Sequence, residues 1–187
     1  LIADRELQKK PGSPIIYNLI SSRAVKEVVQ ENGGKPLRSR VGHSFIKAMM
    51  AESGAIFGGE HSGHFYFADF WRADSGMLAA LHAIAALGMS KKTLSELLAP
   101  YARYFASGEI NSKVSDSKSI MAGIKESYSS KPGVTTDQLD GLSVEGDTWW
   151  FNVRASNTEP LLRLNVEAKT KAQMEALRDE VLAVIRG

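Results

Sequence analysis

The order of the apolar segments is the feature that most constrains how this chain folds. Before about residue 100, short apolar runs such as Ile15–Tyr17 alternate with segments whose apolar residues recur at helical spacing. After residue 107, runs such as Thr148–Val153 and Leu161–Val166 follow one another closely, with no helix-length segment between them. Alternating strands and helices predict a mixed α/β sheet covered by helices, whereas closely spaced strands predict an antiparallel sheet. We therefore expect an α/β mixed-sheet domain over residues 1–103 and a smaller α+β domain, with an antiparallel sheet and packed helices, over residues 104–187.

Three of the expected helices illustrate the predicted buried apolar stripes. Ser44 is expected to cap the first helix, and Asp74 or Ser75 the second, because short polar side chains accept hydrogen bonds from the free N–H groups of a helix start. Thr170 and Gln173 have the spacing of a capping box at the start of the third helix. The residues predicted to be buried on these helices are Phe45, Ile46, Met49, Met50, Leu78, Leu81, Ile84, Ala85, Leu87, Met174, Leu177, Val181 and Ile185.

The composition excludes several classes of function. The net charge is only +2, and no basic run is interleaved with aromatic residues, so nucleic acid is not expected as a partner. The chain contains no cysteine, which excludes disulfide and thiolate chemistry and fits a cytoplasmic location. No apolar run approaches the roughly 20 residues that a membrane-spanning helix needs, so no membrane partner is expected.

A polar, glycine-rich loop, Gly59–His64, follows the apolar run Ala55–Phe57, which we predict to be a buried strand. Polar groups at the end of such a strand lie where α/β proteins commonly bind ligands. Glu60 and Ser62 would form hydrogen bonds with neighbouring hydroxyls of a sugar, and the flanking glycines would let the ligand approach the backbone. The alternative is an ordinary surface turn.

His61 and His64 in the same loop have the spacing His-x-x-His. This spacing favours a zinc site when it lies on one helical face, but here it lies in a glycine-rich loop and no third ligand is evident. We therefore expect no metal site in this chain.

A second polar loop, Arg154–Pro160, lies between two apolar runs. Its guanidinium, hydroxyl, amide and backbone N–H groups form a suitable phosphate site, with a forked, charge-assisted contact from Arg154. The other candidate phosphate ligands are Ser156, Asn157 and Thr158. An ordinary hairpin turn is the alternative. A hydroxyl-binding loop and a phosphate-binding loop on one chain together suggest a phosphosugar ligand.

These two motifs resemble those of the C-terminal half of the α-D-phosphohexomutase superfamily, most closely the bacterial phosphomannomutase/phosphoglucomutase group. The sugar-binding loop of that family reads Gly-Glu-x-Ser-Gly-His, as in Gly59–His64, and its phosphate-binding loop reads Arg-x-Ser-Asn-Thr-x-Pro, as in Arg154–Pro160. The resemblance implies that residues 1–103 are the third domain and residues 104–187 the fourth domain of a four-domain enzyme.

The resemblance also implies an activity, the interconversion of mannose (or glucose) 1-phosphate and 6-phosphate through a phosphoserine and a bisphosphorylated sugar intermediate. The related phosphoglucosamine mutases usually carry Gly where this chain has Asn157, which favours the hexose-phosphate branch. A fragment of a phosphoglucosamine mutase and a non-catalytic phosphosugar-binding module remain the alternatives.

Two family motifs are not found in this sequence, the serine loop of the first domain and the aspartate-rich magnesium loop of the second. We therefore expect an N-terminally truncated fragment that is inactive alone, with hexose phosphates and the missing domains 1 and 2 as its partners. In the full-length enzyme, Mg²⁺ would be bound by a loop outside this chain.

The segment Arg40–Ser44 precedes a predicted helix and, by resemblance, faces the active-site cleft. The resemblance assigns proton transfer or phosphate contact to Arg40 and His43, and places His64 near the substrate. An imidazole titrates near neutral pH and can serve as acid or base, although a helix cap with a solvated histidine is the alternative. Several relatives have a lysine that falls at Ile20 here, and the sequence offers no clear replacement for it.

Overall fold

The computed structural model describes residues 1–156 and 158–187. The chain divides into two compact units, unit 1 (Leu1–Arg103) and unit 2 (Tyr104–Gly187). Unit 1 has a mixed sheet with helices and unit 2 has an antiparallel sheet with helices, which confirms the predicted fold class.

Unit 1 alternates helices and strands along most of its length. Its helices are α1 (Ile2–Lys9), α2 (Arg23–Glu31), α3 (His43–Ser53), α4 (Gly76–Gly88) and α5 (Leu94–Leu98). Its strands are β1 (Pro14–Asn18), β2 (Lys35–Ser39), β3 (Phe57–Gly59), β4 (Phe65–Phe67) and β5 (Ala73–Asp74). The sheet order is β2-β1-β3-β4-β5, with β1 parallel to β2 and β3 and the remaining pairs antiparallel. The carboxyl ends of β1, β2 and β3 therefore lie side by side, which brings the loops after them to one edge of the sheet.

Strand β1 is covered on both faces. Ile15 contributes to one buried apolar cluster with residues of α1 and α2, and Ile16 contributes to a second with residues of α3. Successive side chains of a strand point to opposite faces, so both faces of this sheet must be apolar. The predicted strand Ala55–Phe57 is wrong by two residues, because β3 begins at Phe57 and ends at Gly59, the first residue of the polar loop.

Helix α3 begins differently from the sequence prediction. Its N-cap is Gly42, with φ at 131°, and no side chain caps it, so the prediction of a Ser44 cap is wrong. Ile46 and Met50, one helical turn apart, are fully buried as predicted, whereas Phe45 is exposed and Met49 is only partly buried. The stripe is thus a narrow i, i+4 pair, since the neighbouring face of α3 is not covered by the sheet.

Helix α4 has the predicted Ser75 cap, whose hydroxyl accepts a hydrogen bond from the N–H of Leu78. Its predicted buried stripe is wrong: Leu81, Ile84, Ala85 and Leu87 are exposed, Leu78 is partly buried, and the buried residues are Ala79 and Ala86. The helix is apolar on nearly every side, so the sequence pattern does not indicate which face meets the sheet. The small alanine face is the one that packs.

The two isoleucines of these helices give a matched test of this orientation. Ile46→Ala is expected to cost about 2–5 kcal/mol in the free energy of unfolding, because it leaves a cavity in the core. Ile84→Ala is expected to change it by less than about 0.5 kcal/mol, because this side chain is 64% exposed. Guanidinium unfolding of both variants followed by circular dichroism measures the difference. Equal costs would contradict the placement of α4.

Unit 2 forms an antiparallel sheet with two helices in its described part, 104–156 and 158–187. Its strands are β6 (Phe105–Lys113), β7 (Thr135–Asp137), β8 (Leu142–Glu145), β9 (Trp149–Ala155) and β10 (Leu161–Ala168), and its helices are α6 (Ser117–Ser129) and α7 (Lys171–Arg186). The strand order is β6-β10-β9-β8-β7. The apolar residues predicted for α7 are confirmed as buried, and they pack on the core between helices and sheet.

The start of α7 is only half a capping box. Thr170 accepts a hydrogen bond from the N–H of Gln173, as predicted. The side-chain oxygen of Gln173, which would accept the reciprocal bond from the N–H of Thr170, accepts instead from the hydroxyl of Thr148 at 3.2 Å, so the prediction of a full capping box is wrong. The hydroxyl of Thr148, the residue before β9, thus competes for this side chain. Within the residues that the structure describes, none of the helices has the length and hydropathy needed to cross a bilayer.

Candidate functional site

The polar loop of unit 1 closes into a tight turn at the end of β3. The N–H of Glu60 donates to the carbonyl of His64 at 2.9 Å, and the N–H of Gly63 donates to the carbonyl of Glu60 at 3.0 Å. Gly63 has φ at 85°, a conformation that favours glycine. The turn returns the chain into β4 and places His64 close to the sheet edge, while Ser62 is exposed at its tip.

The carboxylate of Glu60 joins three segments of unit 1. It is 6% exposed, and its Oε1 accepts a hydrogen bond from the hydroxyl of Tyr66 at 2.7 Å. Its Oε2 accepts from the N–H of Gly42 at 3.1 Å and from the side-chain amide of Asn18 at 3.3 Å. A carboxylate oxygen has two lone pairs, so Oε1 keeps one for a further donor. Contact of Glu60 with a sugar hydroxyl stays a prediction, and Oε1 is the atom available for it.

Two imidazoles lie against each other beside this carboxylate. The ring centroids of His43 and His64 are 4.2 Å apart with the planes inclined by 64°. Nδ1 of His43 is 2.7 Å from the hydroxyl of Tyr66, and Nδ1 of His64 is 2.7 Å from Oδ2 of Asp74. Each ring is therefore held through Nδ1 by an oxygen of the protein, and the described contacts leave Nε2 of both rings available.

Burial and hydrogen bonding shift the pKa of two groups in this cluster. Partial burial would by itself raise the pKa of Asp74, but hydrogen bonds from the N–H of Phe65 and from His64 outweigh it and hold that pKa below its ordinary value. Burial and the hydrogen bond to Glu60 raise the pKa of Tyr66 well above its ordinary value. The phenol therefore keeps its proton at neutral pH, and the carboxyl group of Asp74 stays ionised.

The structure brings Glu60, His43 and His64 together, whereas Arg40 contacts Phe45 instead. Arg40 is exposed, and its guanidinium carbon lies 4.5 Å from the ring centroid of Phe45. A role of Arg40 in proton transfer or phosphate contact stays a prediction. Tyr66 and Asp74 are the members of the cluster that the sequence analysis missed. The available signal was a tyrosine in the apolar strand β4, because a buried hydroxyl needs a partner.

The candidate phosphate loop of unit 2 contains a pair of arginines. Arg154 on β9 and Arg163 on β10 are directly opposite in the antiparallel register. Both approach the carboxylate of Glu109 on β6, at 3.9 Å from Arg154 and 3.7 Å from Arg163. Like charges opposite each other destabilise a strand pair. One carboxylate for two guanidiniums leaves a surplus of positive charge at this site.

Hydroxyl groups adjoin the arginine pair. The hydroxyl of Ser156 is 3.5 Å from Nη2 of Arg163 and 3.5 Å from the hydroxyl of Thr158. Asn157, the remaining predicted phosphate ligand, lies outside the described residues. Nε of Arg154 and Nε of Arg163 are buried without a hydrogen-bond partner among the residues that the structure describes. Two guanidinium groups beside hydroxyls form a suitable site for an oxyanion.

Comparison with known proteins places the chain in a family. Residues 1–104 match "Phosphoglucomutase/phosphomannomutase, alpha/beta/alpha domain III", and residues 109–184 match "Phosphoglucomutase/phosphomannomutase, C-terminal domain". The chain belongs to the phosphoglucomutase/phosphomannomutase family. The matches also confirm the resemblance to the C-terminal half of the superfamily that the motifs indicated.

Individual relatives are similar over nearly all of this family member. It is 42% identical over 185 residues to the phosphomannomutase of Methanocaldococcus jannaschii, covering 99% of this chain and 40% of that protein. It is 41% identical over 189 residues to a phosphomannomutase of Escherichia coli, covering 100% of this chain and 41% of that protein. A phosphoglucomutase/phosphomannomutase family protein from Burkholderia thailandensis superposes with a TM-score of 0.84 at 28% identity, over 99% of this chain and 40% of that one. The chain thus spans about 40% of the length of these relatives.

The described residues of this family member do not fit the Mg²⁺ ion that the resemblance implies. His43, His64 and Asp74 bring one potential ligand atom each to within 4.8 Å of one another. Two of the three ligands are imidazole nitrogens, whereas Mg²⁺ prefers oxygen ligands in an octahedral arrangement. Both carboxylate oxygens of Asp74 already accept hydrogen bonds. The ligand set of this cluster is therefore unsuited to Mg²⁺.

At Ile20, where the resemblance places the lysine of several relatives, this chain has an apolar side chain. Ile20 is buried. Its neighbour Ser21 donates a hydrogen bond to the side-chain oxygen of Asn18 at 2.7 Å, which orients the amide that contacts Glu60. In this member, the strand-to-helix turn after β1 therefore supports Glu60.

Proposed function

We propose that this chain forms the third and fourth domains of a phosphohexomutase that interconverts mannose (or glucose) 1-phosphate and 6-phosphate. The reaction would pass through a phosphoserine and a bisphosphorylated sugar intermediate. The observation that carries the proposal is the arginine pair of unit 2, whose members are opposite in the β9–β10 register, share one carboxylate and adjoin the hydroxyl of Ser156. Relatives named phosphomannomutase support the same activity. The phosphoserine and the Mg²⁺ loop would lie outside this chain, so we expect no turnover by the chain alone.

In this proposal, unit 2 would hold the phosphate group that is not being transferred. Arg154 and Arg163 would neutralise its charge, and the hydroxyls of Ser156 and Thr158 would contact its oxygens. Phosphoryl transfer needs accurate positioning and stabilisation of charge more than covalent participation of side chains. The role of unit 2 is thus to fix the substrate by the end that does not react.

Unit 1 would contact the sugar and accept the proton of the reacting sugar hydroxyl. Oε1 of Glu60 retains a lone pair for a sugar hydroxyl, and Ser62 is exposed beside it. The sugar hydroxyl oxygen that receives the phosphoryl group must lose its proton as its new P–O bond forms and the P–O bond to the donor serine breaks. A neutral imidazole with a free nitrogen is a suitable acceptor for that proton, and His43 and His64 both offer Nε2.

The phosphate site is tested by adding mannose 1-phosphate to the ¹⁵N-labelled chain and recording amide and arginine Nε–H spectra. We expect saturable shifts at Ser156, Thr158 and Arg163. Arg154→Ala is expected to weaken the binding by about tenfold or more, the typical loss for one charge-assisted hydrogen bond.

Arg178→Ala provides the matched control. Arg178 lies on α7 of the same unit and pairs with Asp179 at 2.7 Å, so the substitution removes the same charge away from the proposed site. We expect this variant to bind like the parent chain. Equal affinity of Arg154→Ala and Arg178→Ala would refute the phosphate site, because a general effect of net charge would then explain the binding.

A further inference from the structure

Tyr66 connects Glu60 to His43 through a single hydroxyl group. Its side chain is fully buried on β4 and packs in the cluster that includes Ile46 and Met50. The hydroxyl oxygen lies 2.7 Å from Oε1 of Glu60 and 2.7 Å from Nδ1 of His43. The packing of the ring holds this oxygen in place. Because the hydroxyl carries a single proton, it can donate a hydrogen bond to only one of these two neighbours.

The position of that proton follows from the donors around Glu60. An ionised carboxylate only accepts hydrogen bonds, and Glu60 accepts from Gly42, Asn18 and Tyr66. The proton of Tyr66 therefore points to Glu60, and the phenol oxygen can only accept from His43. Nδ1 of His43 must then carry a proton, which leaves Nε2 of the neutral ring without one.

The tautomer of the neighbouring imidazole, His64, is determined in the same way by a different partner. Oδ2 of Asp74 accepts from Nδ1 of His64 at 2.7 Å, and Oδ1 accepts from the N–H of Phe65. The two rings therefore have the same tautomer but depend on separate oxygens. A change at Tyr66 acts directly on His43, and a change at Asp74 acts directly on His64.

We infer that Tyr66 is a positioning residue that holds His43 as the Nδ1–H tautomer, so that Nε2 is the atom that accepts a proton. The tautomer follows from the contacts of Tyr66 alone. The use of Nε2 of His43 to accept the proton of a sugar hydroxyl rests on the proposed function. The residue transmits the charge of Glu60 to the imidazole without contacting the substrate itself.

The test is the nitrogen spectrum of the histidine rings in the chain labelled with ¹⁵N-histidine. Two-bond ¹H–¹⁵N correlations distinguish a protonated ring nitrogen from a bare one, so they report the tautomer of each neutral imidazole. In the parent chain with the ring neutral, we expect His43 to have a proton on Nδ1 and none on Nε2. The opposite assignment would overturn the inference.

Two variants change the hydrogen bonds of Tyr66 in different ways. Tyr66→Phe keeps the buried ring but removes the acceptor, so His43 is expected to become a mixture of both tautomers. Glu60→Gln is expected to keep its oxygen toward Gly42 and Asn18 and to turn its NH₂ toward Tyr66. The phenol proton would then point to Nδ1 of His43, and the ring would reverse to the Nε2–H tautomer. An unchanged tautomer in both variants would refute the inference.

Asp74→Asn is the matched control, because it replaces the carboxylate that accepts from His64 with an amide and leaves the hydroxyl of Tyr66 in place. We expect the spectrum of His64 to change and the tautomer of His43 to persist. Loss of the His43 tautomer in this variant would show that the loop as a whole, rather than Tyr66, sets the state of the ring, and would overturn the inference.

A kinetic measurement connects the tautomer to the reaction. In the complete enzyme, Tyr66→Phe is expected to lower kcat by up to about tenfold with little change in KM, because part of the His43 population would present a protonated Nε2. An unchanged kcat together with the expected spectra would place the proton transfer at another group. It would leave the positioning of His43 by Tyr66 intact, so failure of the proposed function and failure of the inference are distinguishable.

Discussion

Replacing both Arg154 and Arg163 with alanine is expected to lower kcat/KM of the complete enzyme for mannose 1-phosphate by about three orders of magnitude. Each guanidinium would form charge-assisted hydrogen bonds worth about 1.5–3 kcal/mol with the bound phosphate, and 1.4 kcal/mol corresponds to a factor of ten. Because the two side chains are opposite in the β9–β10 register, one phosphate group would meet both of them. Steady-state kinetics with the two single variants and the double variant measures the effect.

A comparison of lysine and alanine substitutions at Arg154 separates the effect of its charge from the effect of its planar geometry. Arg154→Lys keeps the positive charge but loses the planar fork, so its kcat/KM is expected to lie between those of the parent and of Arg154→Ala. Arg178→Ala is expected to retain the parent activity, because its guanidinium pairs with Asp179 on the exposed side of α7. A double variant within fivefold of the parent enzyme would contradict the assignment of phosphate binding to unit 2.

Local sequence predicts much of the arrangement at the sheet edge of unit 1. Strand ends and glycines are local features, and they indicate that Gly59–His64 turns sharply next to the sheet. The parallel pairing of β1 and β3 then brings Asn18 beside the loop, which a strand–helix–strand pattern implies. Strand β3 nevertheless begins at Phe57, because its length depends on pairing with β1 and β4 rather than on the apolar run alone.

The residues that the sequence did not reveal depend on packing over long distances along the chain. Tyr66 looks like an apolar strand residue until its hydroxyl is seen between Glu60 and His43, and the latter is 23 positions away. Arg163 becomes a partner of Arg154 only through the register of the β9–β10 hairpin. A shift of one residue would turn it to the other face. Helix α4 illustrates the same limit, because an almost uniformly apolar helix has no pattern from which its buried face can be inferred.

Glu60→Ala is expected to lower the free energy of unfolding of unit 1 by about 3 kcal/mol. The substitution removes the acceptor shared by Gly42, Asn18 and Tyr66, and buried donors without a partner retain the full cost of desolvation. Urea unfolding followed by circular dichroism measures this loss. Glu52→Ala, at an exposed position on α3, is the matched control and is expected to change stability by less than about 0.5 kcal/mol.

The amide variant shows whether the cost of removing Glu60 comes from its hydrogen bonds or from its charge. The oxygen of Glu60→Gln would still accept from Gly42 and Asn18, and its NH₂ group would donate to Tyr66, so every donor around it would keep a partner. We therefore expect Glu60→Gln to cost about 1 kcal/mol or less, far below Glu60→Ala. If both variants lost the same stability, the negative charge itself would hold the three segments together. A neutral acceptor could not then replace the carboxylate at the end of β3.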